Sequence, residues 1–205
     1  MLKRSLRALG LLFVLACAPR LVGAQGYGPP LGVVMTYSTG SSSPMTDPIR
    51  LSTVDLEVVV PMSQQPTIVG VEYAPALSLA FVENNPTGVV ERLGSAWVVW
   101  NPPPAVPTFG IGLVPANFRV WIGGERIRLQ ADASGGFIWF AQPLLAANAT
   151  RFNFTGSVGL ALRLEIPGGR RAVLGYRIHH ASNGGTGDVN PGIDSRQIYV
   201  GFWLL

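Results

Sequence analysis

Alternation with period two decides what this chain can fold into. Between residues 151 and 166 the even positions read Phe152, Phe154, Gly156, Val158, Leu160, Leu162, Leu164 and Ile166, while the odd positions read Arg151, Asn153, Thr155, Ser157, Gly159, Ala161, Arg163 and Glu165. Successive strand residues point to opposite faces, so as a strand this segment is apolar on one face and small or polar on the other. A helix would mix the two sets. The pattern recurs over 126–139, where Ile127, Leu129, Phe137 and Trp139 oppose Arg126, Arg128, Gln130 and Asp132, and over 67–81, where Val69, Val71, Tyr73, Leu77, Leu79 and Phe81 oppose Glu72 and Ser78. Further candidates are 54–60, 92–100, 109–122, 171–182 and 194–205, which makes eight strands. Residues 32–38 are a ninth candidate without a settled place; if they form the first strand, two later pieces merge. Pro75 and Pro115 interrupt two of the runs and are expected at bends or bulges.

The first residues read as a separate segment. Lys3, Arg4 and Arg7 precede a short apolar stretch, and Val22-Gly23-Ala24 offers a small-residue cleavage site before Gln25. The expectation is a secretory signal peptide over 1–24 and one domain over 25–205. A rival reading takes Val14-Leu15-Ala16-Cys17 as a lipoprotein cleavage box; the site at 22–24 is at least as good a match. With the leader removed, eleven arginines, no lysine and eleven acids remain, a net charge of zero. A nucleic-acid partner, which needs surplus cationic charge, loses its support. Cys17, the single cysteine, leaves with the leader, and disulfide or thiolate chemistry leaves with it.

Charged residues make up 13% and apolar residues 48%, yet no later apolar run is long enough for a spanning helix. A closed sheet is the other backbone arrangement that satisfies itself in lipid. The expected fold is therefore all-β: an eight-stranded antiparallel transmembrane β-barrel following a cleaved signal peptide. A soluble β-sandwich shows the same alternation, but strand length, scarce charge and missing lysine speak against it. The connectors at 142–150 and 183–193 are long and the one at 167–170 is tight, matching long external loops and short periplasmic turns.

The chain has two histidines, adjacent in Tyr176-Arg177-Ile178-His179-His180-Ala181-Ser182-Asn183. On a strand His180 and Ser182 share a face with Leu174, Tyr176 and Ile178, the lipid-facing side, and His179 points the other way with Arg177. An imidazole and a hydroxyl on a membrane-facing surface call for an explanation. Asp194 opens the last strand on the same outer face, so an imidazole can take the Ser182 proton while a carboxylate orients it. Asn183 and the backbone at Gly184-Gly185 are candidates to donate to a developing oxyanion. The bland reading is that His-x-Ser arises by chance and that the glycines are ordinary turn residues; spacing by itself weighs the two about equally. Zinc fits poorly, since adjacent strand histidines diverge and no further His or Cys completes a set.

His180-Ala181-Ser182-Asn183, then Asn190-Pro191-Gly192, then an acid opening the last strand, together resemble the lipid A 3-O-deacylases of the PagL family, as does the stretch Asn148-Ala149-Thr150-Arg151-Phe152-Asn153-Phe154-Thr155. The resemblance implies an eight-stranded outer-membrane barrel that hydrolyses the ester-linked 3-hydroxyacyl chain of lipid A. By position it implies Ser182 as nucleophile, His180 as general base, Asp194 as orienting acid and Asn183 as an oxyanion contact. It further implies lipid A or lipopolysaccharide as substrate, membrane lipids as surroundings, no metal or organic cofactor, and room for a homodimer. Two departures stand out. The family pattern carries Glu where Asp194 stands, and the chain ends in Leu204-Leu205 rather than an aromatic residue. The competing functions are a non-catalytic barrel that scaffolds the membrane and, less favoured, a small channel, since an eight-stranded interior is usually filled by its own side chains.

Overall fold

The computed structural model describes residues 32–41, 49–63, 68–93, 96–100, 103–166 and 170–203. The expectations for the leader, for Cys17 and for Leu204-Leu205 lie outside the described residues. The strands are β1 (Gly32–Ser41), β2 (Arg50–Pro61), β3 (Val69–Tyr73), β4 (Ala76–Asn85), β5 (Val89–Leu93) and β6 (Ala96–Trp100), followed by β7 (Val106–Gly123), β8 (Ile127–Phe140), β9 (Phe152–Ile166), β10 (Arg170–Ser182) and β11 (Ile193–Trp203). Nine of them form one sheet in the order β1-β11-β10-β9-β8-β7-β3-β2-β4, and additional β1–β2 and β4–β7 pairings close it on itself. Every pairing is antiparallel, as chain reversals at short turns require. Strands β3 and β4 meet the same neighbours, β2 and β7, at different heights and so share one place in the circuit.

The sequence expectation for 67–81 as one strand needs a break at Ala74-Pro75, because proline has no N–H to give the ladder. The break is filled locally: the Asn117 side chain donates to the Ala74 carbonyl at 2.9 Å and the Ala74 N–H donates to the Asn117 carbonyl at 2.8 Å. Opposite it, Pro115 does not end β7. Between Leu113 and Ala116 the register with β8 slips by one residue, a bulge that moves the outward set from Phe109, Ile111 and Leu113 to Phe118, Val120 and Ile122.

Two further expectations change. Residues 92–100 are not a barrel strand; they belong to the separate β5–β6 hairpin. Residues 32–38, left unplaced from the sequence, lie in β1, which pairs with β2 and β11 at the closure of the sheet. Alternation marks a strand but not its partner, and a hairpin in a connection alternates as well as a barrel strand does.

The alternation separates two solvents. Outward-facing Leu56, Leu79, Ile111, Val120, Leu129, Leu160, Leu162, Leu174 and Ile198 are exposed, while Asp55, Glu57, Glu72, Arg119, Gln130, Arg163 and Gln197 are buried inside. An apolar exterior around a charged interior is the reverse of a water-soluble protein and suits hydrocarbon. The buried charges are paired. Arg163 Nη1 donates to Glu72 Oε1 at 2.7 Å, Arg163 Nε donates to Glu165 Oε1 at 2.9 Å, Arg177 contacts Asp55 at 3.2 Å, and Arg119 pairs with Glu57. Trp121 is buried inside, with the Arg128 guanidinium 3.9 Å from its ring centroid. Gly70 makes room for that ring, since a Cβ there would stand 2.0 Å from it. Side chains fill much of the lumen among the described residues, and a polar cavity remains beside Asp55, Arg177 and His179.

The strand ends at Ser182, Ile193, Phe140 and Phe152 share the end of the barrel that carries the long connections 141–151 and 183–192. Loop asymmetry makes that end external. An apolar cluster of Ile49, Leu51, Ile138, Phe140, Leu144, Ala181 and Ile193 fills it from within, and the 141–150 connection folds over it. There Asn85, fully buried, donates to the Pro143 carbonyl at 3.1 Å and accepts the Leu145 N–H at 2.7 Å.

Candidate active site

His180 and Asp194 are direct cross-strand partners in the β10–β11 register, on the outer face. Cross-strand neighbours bring their Cβ atoms to roughly 5 Å, close enough for an imidazole and a short carboxylate to meet. His180 Nδ1 lies 2.7 Å from Asp194 Oδ1, and His180 Nε2 lies 3.0 Å from Ser182 Oγ. Ser182 stands two residues beyond His180 on the same face, at the last position of β10. The three sequence candidates therefore form a continuous line: carboxylate, imidazole, hydroxyl. The contacts fit one tautomer, with the proton on Nδ1 donated to Asp194 and the lone pair of Nε2 turned to the serine. The histidine and aspartate side chains are 52% and 79% exposed on the surface that faces lipid and headgroup.

Small residues keep this line open. Gly156 of β9 is the cross-strand neighbour of His180 on its other side, so no side chain competes for the imidazole's place. Gly192 sits over the pair: a Cβ there would come within 3.1 Å of His180 Cε1 and 3.2 Å of the Ser182 Cβ. Neither glycine announces itself in the sequence, because nothing about their spacing separates them from turn glycines.

His179 faces the lumen, as its parity requires. It is buried and its Nε2 pairs with Thr155, so it belongs to the interior and takes no part in the outer site. Asn183 is also turned inward. It is 1% exposed; its Nδ2 donates to the Val189 carbonyl at 2.7 Å, its Oδ1 accepts the Gly185 N–H at 2.9 Å, and its own N–H donates to Asn190 Oδ1 at 3.0 Å. These bonds make Asn183 the organiser of the 183–192 connection and commit its amide there, away from the role expected of it. Gly184, exposed and in the left-handed region at φ 63°, follows directly, and a Cβ there would come within 3.0 Å of the Phe154 ring.

Phe154 is the β9 partner of Ser182 and opens an aromatic surface beside it. Phe152 packs edge-on to Phe154 with ring centroids 5.2 Å apart, and it stacks on Phe137 at 5.7 Å. Trp139 closes the group at 6.4 Å from Phe152. These rings lie on the outer face at the external end. The site is thus flanked by a broad apolar wall and reached from the membrane plane.

A closed antiparallel sheet that is apolar outside and charged inside defines this molecule as an outer-membrane β-barrel, and Asp194, His180 and Ser182 line up as carboxylate, imidazole and hydroxyl on its outer surface. The family model for lipid A 3-O-deacylase (PagL) matches residues 78–203, and the chain belongs to that family. The match runs from within β4 to the end of β11 and takes in all three site residues. A solved structure, the crystal structure of the outer membrane enzyme PagL, superposes with a TM-score of 0.59 at 15% identity, covering 82% of this chain and 97% of that one. Curated protein sequences gave no match. As a member of the family, the protein is a hydrolase of the lipid A deacylase type in the bacterial outer membrane.

Proposed function

We propose that the protein removes the ester-linked 3-hydroxyacyl chain of lipid A in the outer leaflet, with Ser182 as nucleophile, His180 as general base and Asp194 as the acid that orients it. The observation that carries this reading is the unbroken contact line of 2.7 Å and 3.0 Å on the lipid-facing surface. A serine hydroxyl is a weak nucleophile until a base takes its proton, and the base needs its other nitrogen held.

In this reading the substrate approaches laterally. Its acyl chain lies against the apolar outer face, with Tyr176 and Ile178 below the site and the Phe152–Phe154 wall beside it. Ser182 Oγ attacks the ester carbonyl as its proton passes to His180 Nε2. The tetrahedral oxyanion takes a hydrogen bond from the Gly184 N–H, a role that falls to the backbone because the Asn183 amide is committed to the loop. Collapse breaks the acyl–oxygen bond, and His180 returns the proton to the departing sugar hydroxyl. Water, deprotonated by the same imidazole, then hydrolyses the acyl-serine and frees the 3-hydroxy fatty acid.

The test is to express the wild type and Ser182→Ala in a bacterium of defined lipid A and to compare lipid A masses. Wild type should yield species lighter by one 3-hydroxyacyl chain, and Ser182→Ala should not. Identical profiles from both strains would reject the reading.

A further inference from the structure

On β11 the outward series Phe202, Val200, Ile198 is apolar and then gives way to Arg196, followed by Asp194. Arg196 is exposed on the outer face, and among the described residues no ion pair or hydrogen bond engages its guanidinium. The register sets it between Ile178 of β10 and Ser41 of β1, two residues nearer the membrane centre than the His180–Asp194 pair. Arg50 of β2 is the partner of Ser41 on its other side and is compensated differently, by Glu83 at 3.5 Å. A cation at the edge of hydrocarbon is penalised unless it meets an anion, and a long arginine stem bends its head toward the headgroups. Here that direction leads toward the site. Asp194 shares the face but its carboxylate engages His180, and it forms no ion pair with Arg196.

We infer that Arg196 is a specificity residue that binds a phosphate of the lipid A headgroup while the acyl ester of the same molecule lies at Ser182. The inference rests on the proposed deacylase function. Lipid A is a phosphorylated, acylated glucosamine disaccharide, and a guanidinium binds phosphate oxygens in a bidentate manner that neutral lipids cannot match. Four strand residues and one strand spacing separate Ser182 from Arg196, roughly 14 Å between α-carbons. The arginine stem closes much of that distance and leaves a gap that a sugar ring spans. The arrangement fixes which way the disaccharide lies across β10 and β11, and so which of its esters meets the serine.

Two measurements on the full protein in detergent micelles test this. In the first, wild type, Arg196→Gln and Arg196→Lys release fatty acid from phosphorylated lipid A and from the same lipid A stripped of phosphate. Arg196→Gln should raise KM on the phosphorylated lipid about tenfold, the scale of one charged hydrogen bond, and Arg196→Lys should recover part of it. Stripping the phosphate should cost the wild type a similar factor, and the two losses should not add. An unchanged KM, or a kcat loss of equal size on both lipids, would overturn the inference; the latter would make Arg196 a positioning residue for Asp194. The second measurement needs no turnover. Equilibrium binding of the two lipids to Ser182→Ala should favour the phosphorylated one, and adding Arg196→Gln should abolish that preference. A preference that survives Arg196→Gln would overturn the inference, whereas absence of any fatty-acid release by the wild type would count against the deacylase reading alone.

Discussion

At the scale of single residues, the site depends on an imidazole held from both ends. Asp194 contacts Nδ1 and Ser182 contacts Nε2, and only one tautomer serves both. Asp194→Asn should therefore keep the barrel intact and lower kcat about 10²–10⁴-fold, because an amide can hold the wrong tautomer and cannot stabilise the imidazolium. Release of fatty acid, measured beside the heat-dependent gel mobility of the folded barrel, checks both halves of that statement. The short aspartate side chain reaches the imidazole because Asp194 stands directly opposite His180 in the register. This much of the site was legible in the sequence: parity put His180, Ser182 and Asp194 on one face and His179 on the other. The turned-in amide of Asn183 was not, since its partners Val189, Gly185 and Asn190 lie in a connection with no period to read.

At the scale of elements, the external connections matter as much as the strands. Asn85 ends β4 fully buried, and it joins the 141–150 connection through Pro143 and Leu145. Leu145 holds a left-handed φ of 68°, which a leucine adopts only when its surroundings enforce it. Strand β5 is tied to the same connection: Asn148 Nδ2 donates to the Val90 carbonyl at 2.9 Å, and the Val90 N–H donates back to Asn148 Oδ1 at 3.0 Å. Asn85→Ala leaves a buried N–H and a carbonyl unmet and should cost about 2–3 kcal/mol of local order. Hydrogen exchange should rise over 141–150 and stay unchanged in β9 and β10. A uniform rise across the barrel would contradict the local role. Alternation located most strands but could not tell the β5–β6 hairpin from a barrel strand. Pro115 was legible as a bend or bulge, and the register slip there moves the outward set of β7 from odd to even positions.

At the scale of the whole molecule, charge inside and hydrocarbon outside make one closed solution of the alternating sequence. Toward the periplasmic end Arg163 is fully buried, with Glu72 and Glu165 as partners and the Trp121 and Trp203 rings 5.4 Å and 5.1 Å from its guanidinium. Arg163→Met should destabilise the barrel in lipid vesicles by about 3–5 kcal/mol, because it leaves Glu72 buried without its main cation. Adding Glu72→Gln should restore more than half of that loss in the urea midpoint. With the interior charges paired, the proposed chemistry falls to the outer surface, and labelling of Ser182 tests that reading most directly. A stable phosphonate serine probe with a long acyl tail should attach once per molecule, at Ser182, and fatty-acid release should fall in proportion to the labelled fraction. Release that persists with Ser182 fully labelled, or labelling that abolishes release from another residue, would contradict it.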